Sequence, residues 1–204
     1  MEAAGAGGVR ETSLDAAVLG TLEEKRLVAI IGGVVFARST LGALAARVSA
    51  LAEEYINANP LRYGIDKEEL KQRLKVSLPT PVFNGLLETL AGIAPLYIRG
   101  NRVRSGTPRV ELAGELRSEV DRLEDLLRRS GVFFLRVPEI QAVWKGRSPL
   151  SDALQLLREE ERVKRVGEDG YVHADAYAEC VRAVRLWFAT RESLGVGELK
   201  EIFG

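Results

Sequence analysis

The chain has 204 residues, of which 46% are hydrophobic and 28% are charged, and its 29 acidic side chains balance its 29 basic ones. This composition is typical of a soluble globular protein and excludes a disordered chain, and the neutral balance lacks the basic surplus of a dedicated nucleic-acid-binding protein. A single cysteine excludes a disulfide framework, and no stretch approaches the roughly 20 apolar residues of a membrane span. We therefore expect a cytoplasmic protein with no membrane partner.

The chain repeats one pattern three times, a segment with helically spaced leucines followed by two short apolar runs around a Gly or Asn turn. The three copies lie at residues 14–39, 81–106 and 149–174. Their turns fall at Gly33, Asn101 and Gly170, which are separated by 68 and 69 residues. Gly and Asn supply the positive φ angles that tight hairpins require. Each copy therefore predicts a helix followed by a β-hairpin.

Two further helices are predicted between the first two hairpins. Apolar residues at helical spacing indicate a helix from Leu41 to Ile56, and the stretch NPLRYG then forms an extended corner. Asp66 stands at an N-cap position with Glu69 three residues later, the spacing of a capping box for a helix over 66–75. Gly64 is expected to turn the chain with positive φ. The order helix, extended link, helix, helix, hairpin is that of a winged helix.

The same order recurs in the second half of the chain. It consists of a long helix from Val110 to Arg129, an extended GVFFLRV, a short helix PEIQAVW and the third hairpin. Another helix, from Asp175 to Arg191, and a short helix VGELKEIFG would begin a further unit. The predicted fold class is mainly α with small β-hairpins (α+β), in tandem winged-helix modules. The expected segments are a flexible tail at 1–12, a partial module at 13–39, modules at 40–108 and 109–173, and a truncated module at 174–204.

Several of these stretches resemble the C-terminal extension of SelB, the bacterial selenocysteine-specific elongation factor family. They are NPLRYGIDKEELKQRL, PVFNGLLETL, DGYVHADAY and GVGELKEIFG. The resemblance implies a non-catalytic winged-helix arm that links a GTPase body to the module that binds the mRNA hairpin. It implies the ribosome, the GTPase domains of the same factor, and an mRNA hairpin or ribosomal RNA as partners. GTP would bind only in the body, which this sequence lacks, and the family's RNA-binding segments would lie in the missing rest of the fourth module.

Candidate nucleic-acid contacts come from two basic stretches. The second wing, YIRGNRVRSGTPR, contains Arg99, Arg102, Arg104 and Arg109 without an acid. They would neutralise phosphates of RNA or, on the alternative interpretation, protect a solvated hairpin edge. The turn before the helix of the third copy adds Lys145 and Arg147.

The helix that precedes each hairpin is acidic or neutral outside its leucines, so these helices are predicted to pack against protein rather than to read DNA. A tandem winged-helix DNA-binding regulator and a protein-protein scaffold are the alternative functions. No residue pattern predicts a catalytic, cofactor or metal site. His173 is expected to be solvated or to cap a helix, Cys180 to lie in the core, and Trp144 and Trp187 to fill module interiors or interfaces.

Overall fold

The computed structural model describes residues 8–198, which form α-helices and small antiparallel sheets, as the α+β fold class predicted. The helices are α1 (Ala16–Glu24), α2 (Arg38–Ala58), α3 (Lys67–Leu74), α4 (Thr80–Ala91), α5 (Gly114–Arg129), α6 (Val137–Val143), α7 (Leu150–Glu159) and α8 (Ala174–Phe188). The strands are β1 (Val9–Arg10), β2 (Val28–Ile31), β3 (Val34–Ala37), β4 (Ile65–Asp66), β5 (Leu96–Arg99), β6 (Arg102–Ser105), β7 (Leu135–Arg136), β8 (Val163–Val166) and β9 (Gly170–His173). No helix of this part of the chain is long and apolar enough to span a membrane.

The strands form three sheets with one shared topology, in the orders β1-β3-β2, β4-β6-β5 and β7-β9-β8. In each sheet a hairpin is completed by a two-residue strand that pairs antiparallel with the hairpin's second strand. Sequence patterns predict the hairpins but not β1, β4 or β7, because two residues are too few to show the alternation of a strand. These short strands hold each helical segment to its own hairpin.

The first module is a hairpin with one helix and one extra strand. Val9 pairs with Val35 and Arg10 with Val34, and a single 3-10 turn follows at Glu11–Ser13. The prediction of a flexible tail is therefore wrong for residues 9–12, because backbone pairing to β3 orders them; residues 1–7 lie outside the described part. The side chain of Asp15 caps α1 by accepting hydrogen bonds from two backbone amides.

The second module contains the predicted corner between two helices. Helix α2 is longer than the predicted 41–56 and starts directly after β3. Asp66 caps α3 as expected, and the carboxylate of Glu69 forms an ion pair with Arg73 at 2.8 Å. Gly64 does not adopt positive φ, so that prediction is wrong. A Cβ at Gly64 would lie 2.2 Å from the carbonyl oxygen of Val103, and this close approach to β6 is what requires glycine.

The core of the second module also holds residues of the first hairpin. Buried side chains of α2, α3 and α4 surround the fully buried Ile65 and Val103 of the sheet. Val34 and Phe36 from β3 belong to the same apolar cluster. The first hairpin and the second module therefore share one core.

The third module lies in a separate compact unit, since the chain divides between Val110 and Glu111. Helix α5 begins at Gly114 rather than Val110. The third hairpin turns at residues 167–169, with Gly167 at positive φ, and Gly170 opens β9 instead of forming the turn. A Cβ at Gly170 would lie 2.6 Å from the carbonyl oxygen of Val166. Most of the predicted final helix, VGELKEIFG, lies outside the described residues.

Candidate nucleic-acid interface

Two of the four wing arginines hold the wing to the corner that precedes α3. Arg104 is only 6% exposed, and its guanidinium donates hydrogen bonds to the carbonyl oxygens of Tyr63 at 2.9 Å and Thr107 at 2.8 Å. Arg102 is half-buried and donates to the carbonyl oxygen of Gly64 at 3.1 Å. As the alternation predicted, both side chains point to one face of the hairpin, but that face is turned towards protein. The hydrogen bonds of these two guanidinium groups therefore stabilise the corner.

The other two wing arginines are exposed. The guanidinium of Arg99 lies 4.2 Å from the ring centroid of Tyr63, a cation–π geometry that fixes the side chain at the surface. Arg109 ends the same basic stretch, beyond β6, and is exposed as well. Tyr63 thus orients Arg99 through its ring and Arg104 through its carbonyl group. The surface that the wing can offer to phosphates consists of Arg99 and Arg109, half of the predicted set.

The second basic stretch lies on a turn that a buried carboxylate holds in place. Glu119 of α5 is 4% exposed and accepts hydrogen bonds from the backbone amides of Arg147 and Ser148 and from the Ser148 hydroxyl. These hydrogen bonds, the Arg147 amide first, lower the pKa of Glu119 against the opposing effect of burial. The side chains of Lys145 and Arg147 are exposed, and Arg147 contacts Glu115 at 3.3 Å. The turn therefore presents one cation and one surface ion pair.

Helix α4, which a DNA-binding winged helix would present to the major groove, is covered by the first hairpin. A Cβ at Gly85 would lie 2.8 Å from Cγ2 of Ile31, and one at Gly32 would lie 3.0 Å from Cγ2 of Val82. Oδ1 of Asn84 is buried and has no hydrogen-bond partner. The prediction that α4 packs against protein is confirmed.

The module that carries the wing arginines matches a known family. Residues 50–104 match the family model described as "Elongation factor SelB, winged helix", which comprises the end of α2, the corner, α3, α4 and the wing. Residues 50–104 are therefore similar to a SelB winged helix. The resemblance seen in the stretches NPLRYGIDKEELKQRL and PVFNGLLETL is therefore confirmed. Within the matched residues lie Arg99, Arg102 and Arg104, whereas Arg109 and the stretch at 145–147 lie beyond the match.

A solved structure extends the likeness in fold to most of the chain. It is the crystal structure of the bacterial selenocysteine-specific elongation factor EF-Sec, with a TM-score of 0.51 and 16% sequence identity. The match covers 88% of this chain and 27% of that one, so the chain spans about a quarter of the length of the solved factor. No curated protein matches the chain.

His173, the only histidine, is part of a buried charge cluster in the third module. Its Nδ1 accepts a hydrogen bond from the Asp175 amide at 3.3 Å, which caps α8 as predicted, and its Nε2 lies 3.2 Å from Glu124 Oε1. Glu124 is also contacted by Arg128 and Arg162. Burial, and then these two arginines, lower the pKa of His173. Since Nδ1 accepts from the Asp175 amide, the ring caps α8 and its Nε2 is left to donate to Glu124. Both ring nitrogens thus serve the structure.

Two sequence expectations about the second compact unit need correction. Trp144 does not fill the interior: its indole is half-exposed, and its Nε1 donates to the Ser148 carbonyl at 3.0 Å. Cys180 is half-buried, and burial raises the pKa of its thiol. No group of His, Cys, Asp or Glu within residues 8–198 is arranged to hold a metal ion.

Proposed function

We propose that the chain is a non-catalytic winged-helix arm of a selenocysteine-specific elongation factor, linking the GTPase body to the module that holds the mRNA hairpin. The observation that carries this proposal is the match of residues 50–104 to the SelB winged helix. The solved structure of EF-Sec supports it, since 88% of this chain matches part of that selenocysteine-specific factor in fold.

The architecture suits a spacer better than a DNA reader. The first hairpin and the second module share a core, so these two pieces form one stiff body. Helix α4 is covered, and a winged helix that reads DNA needs this helix free for base contacts. This body, which lies within residues 8–110, fixes the separation of what is attached at its own two ends.

RNA is the nucleic-acid partner in this proposal, and the ribosome is the assembly on which the arm works. Arg99 and Arg109 are exposed cations on the second wing, and Lys145 is another on the turn before α7. Such scattered cations give weak contacts to phosphates without reading sequence. The site of action would then be the cytoplasm.

A chimera tests the proposal. The full chain replaces the intervening winged helices of a bacterial selenocysteine-specific factor, between its own GTPase body and its own hairpin-binding module. A flexible Gly/Ser linker of equal length serves as the control, since it joins the ends without fixing their separation. We expect the chimera to incorporate selenocysteine well above the linker control. A folded chimera that binds GTP and the hairpin yet does no better than the linker would contradict the proposal.

A further inference from the structure

The third module has an open groove where the second module is covered. Helices α6 and α7 and the wing β8–β9 line this groove, which is open to solvent and has a volume of about 720 Å³. Helix α7 contributes Ser151, Gln155 and Arg158 to it, positions that follow the helical repeat along one face. The groove lies entirely within the compact unit that begins at Glu111. Its size is that of a small-ligand site.

The charge of the groove is positive. Arg158 from α7 and Arg165 from β8 line it and are exposed, and none of the residues that line it carries a carboxylate. Asp152 and Glu159 of α7 are not among the lining residues. The helix as a whole therefore looks acidic in sequence, but the face that it presents to the groove is basic and neutral.

Two aromatic rings form part of the groove wall. Tyr171 lies directly across from Arg165 in the β8–β9 pairing, so the two side chains lie on the same face of the hairpin, and the Arg165 guanidinium also donates to the carbonyl oxygen of Glu168. The indole of Trp144 is held by its hydrogen bond to Ser148 and by the backbone at Gly146, where a Cβ would lie 2.1 Å from the ring. Both rings are half-exposed. Rigid, partly exposed aromatic rings beside arginines are a stacking platform for unpaired bases.

Hydrogen-bonding groups complete the wall. The amides of Gln141 and Gln155 and the hydroxyl of Ser151 line the groove. The Nε2 of Gln155 already donates to Glu159 at 2.7 Å, which leaves its oxygen as an acceptor towards a ligand. Amide and hydroxyl groups suit the edges of unpaired bases and the ribose hydroxyl of RNA.

We propose that this groove binds unpaired nucleotides of RNA, with the bases stacked on Tyr171 and Trp144 and the phosphates paired with Arg158 and Arg165. Paired bases are stacked inside a duplex and cannot enter, so the groove selects single strands. Stacking and phosphate contacts tolerate any base order, so binding depends little on sequence. The choice of RNA rests on the proposed function, whereas the preference for single strands rests on the groove alone.

The test uses the full chain with Trp187→Phe, which leaves Trp144 as the only tryptophan. A ten-nucleotide uridine RNA is titrated while the fluorescence of Trp144 is followed, and a matched RNA duplex and a thymidine DNA strand form the comparison arms. The double variant Arg158→Gln/Arg165→Gln is compared with Arg182→Gln/Arg185→Gln. The latter makes the same charge change at exposed positions of α8.

We expect the single-stranded RNA to quench Trp144 saturably and the duplex to bind less tightly. The negative slope of log K against log salt should become shallower by about 1.4 in the groove variant, since each of the two lost single-strand phosphate contacts contributes roughly 0.7. The α8 variant should leave the slope unchanged. Equal losses in both variants, or a preference for the duplex, would overturn the groove assignment and leave the proposed function standing. Groove-dependent binding of DNA but not RNA would support the groove and overturn the proposed function.

Discussion

The backbone of Gly64 approaches Val103 so closely that a Cβ would lie 2.2 Å from the Val103 carbonyl oxygen and 2.7 Å from its carbonyl carbon. Ile65, the next residue, pairs with Val103 and is fully buried. The corner between α2 and α3 is therefore pressed against the central strand of the wing sheet. Glycine is needed here for space, not for an unusual φ angle.

Gly64→Ala is expected to destabilise the second module by about 2 kcal/mol or more, because backbone atoms on both sides must shift to admit the methyl group. Gly42→Ala is the matched control: Gly42 is exposed in α2, and a Cβ there would have no neighbour within 4 Å. That change should stabilise α2 by about 0.5–1 kcal/mol through helix propensity. Hydrogen exchange of the amides of residues 40–105 measures both effects. An unchanged exchange pattern in Gly64→Ala would contradict the close approach.

The sequence predicts the elements of this fold better than it predicts how they contact each other. Helical spacing and turn residues are local signals, so α1 to α8 and the three hairpins follow from them. The role of Gly64 depends on Val103, which is distant in sequence, and no local pattern shows that. The same reason explains the wing arginines: alternation places Arg102 and Arg104 on one face, but only the fold reveals that this face meets the corner.

The groove of the third module shows the same limit. The sequence of α7 contains both acidic and basic residues. From its acidic residues, this helix is expected to pack against protein. The fold separates Gln155 and Arg158 from Asp152 and Glu159 and adds Arg165 from another strand. Which charges share a surface is a tertiary property, and sequence spacing alone resolves it only within one element.

Asp66→Ala should destabilise the second module by about 1 kcal/mol, the usual cost of a lost helix cap. Asp66 Oδ1 accepts from the Glu68 amide at 2.9 Å, and Oδ2 accepts from the Asn101 side chain in the wing turn at 2.6 Å. Asn101→Ala removes the second contact alone and should cost less. The two variants are compared by their thermal denaturation and by the hydrogen exchange of the α3 amides. If Asn101→Ala proved the more damaging, the wing link and not the cap would hold α3.

Arg104→Met is expected to cost about 1.5–3 kcal/mol, because it removes hydrogen bonds from a charged donor and leaves the Tyr63 and Thr107 carbonyls without it. Arg99→Met at the exposed position of the same wing should change stability by less than about 0.5 kcal/mol. Urea denaturation of both variants makes the comparison. Equal losses of unfolding free energy in the two variants would show that the buried hydrogen bonds of Arg104 do not stabilise the module.

The third module should lose stability as the pH falls below about 6.5, the ordinary pKa of histidine. The folded state lowers the pKa of His173 through burial and through Arg128 and Arg162, while Asp175 opposes the shift. The unfolded chain therefore takes up the proton first, and the stability that neutral His173 provides is complete above the unfolded pKa and decreases towards the lower folded pKa.

This pH dependence has a clean control, since His173 is the only histidine. The free energy of unfolding is measured by urea titration between pH 7.5 and 5.5 for the native chain and for His173→Gln. The variant is expected to be less stable at pH 7.5 but to have a flatter pH profile over this range. Parallel profiles would show that His173 does not cause the pH dependence.

The chain should bind a selenocysteine-insertion hairpin no better than a hairpin of scrambled sequence. The exposed cations of the second wing, Arg99 and Arg109, can pair with phosphates of any helical stem, and the groove of the third module accepts unpaired nucleotides in any order. Neither surface reads a base sequence strongly. In a competition titration at fixed salt, the two hairpins should therefore displace a labelled RNA at similar concentrations.

Arg99→Glu/Arg109→Glu should weaken binding of both hairpins alike and make it less sensitive to salt, since each lost stem phosphate contact removes about 0.9 from the slope. Arg104 is left native in this variant, because its substitution is expected to disrupt the corner rather than the surface. Lys67→Glu/Lys71→Glu on α3 reverses two charges elsewhere in the second module and serves as the control. A strong preference of the native chain for the selenocysteine hairpin would mean that one of its modules reads RNA sequence. A loss confined to that hairpin in the wing variant would locate the reading surface at Arg99 and Arg109.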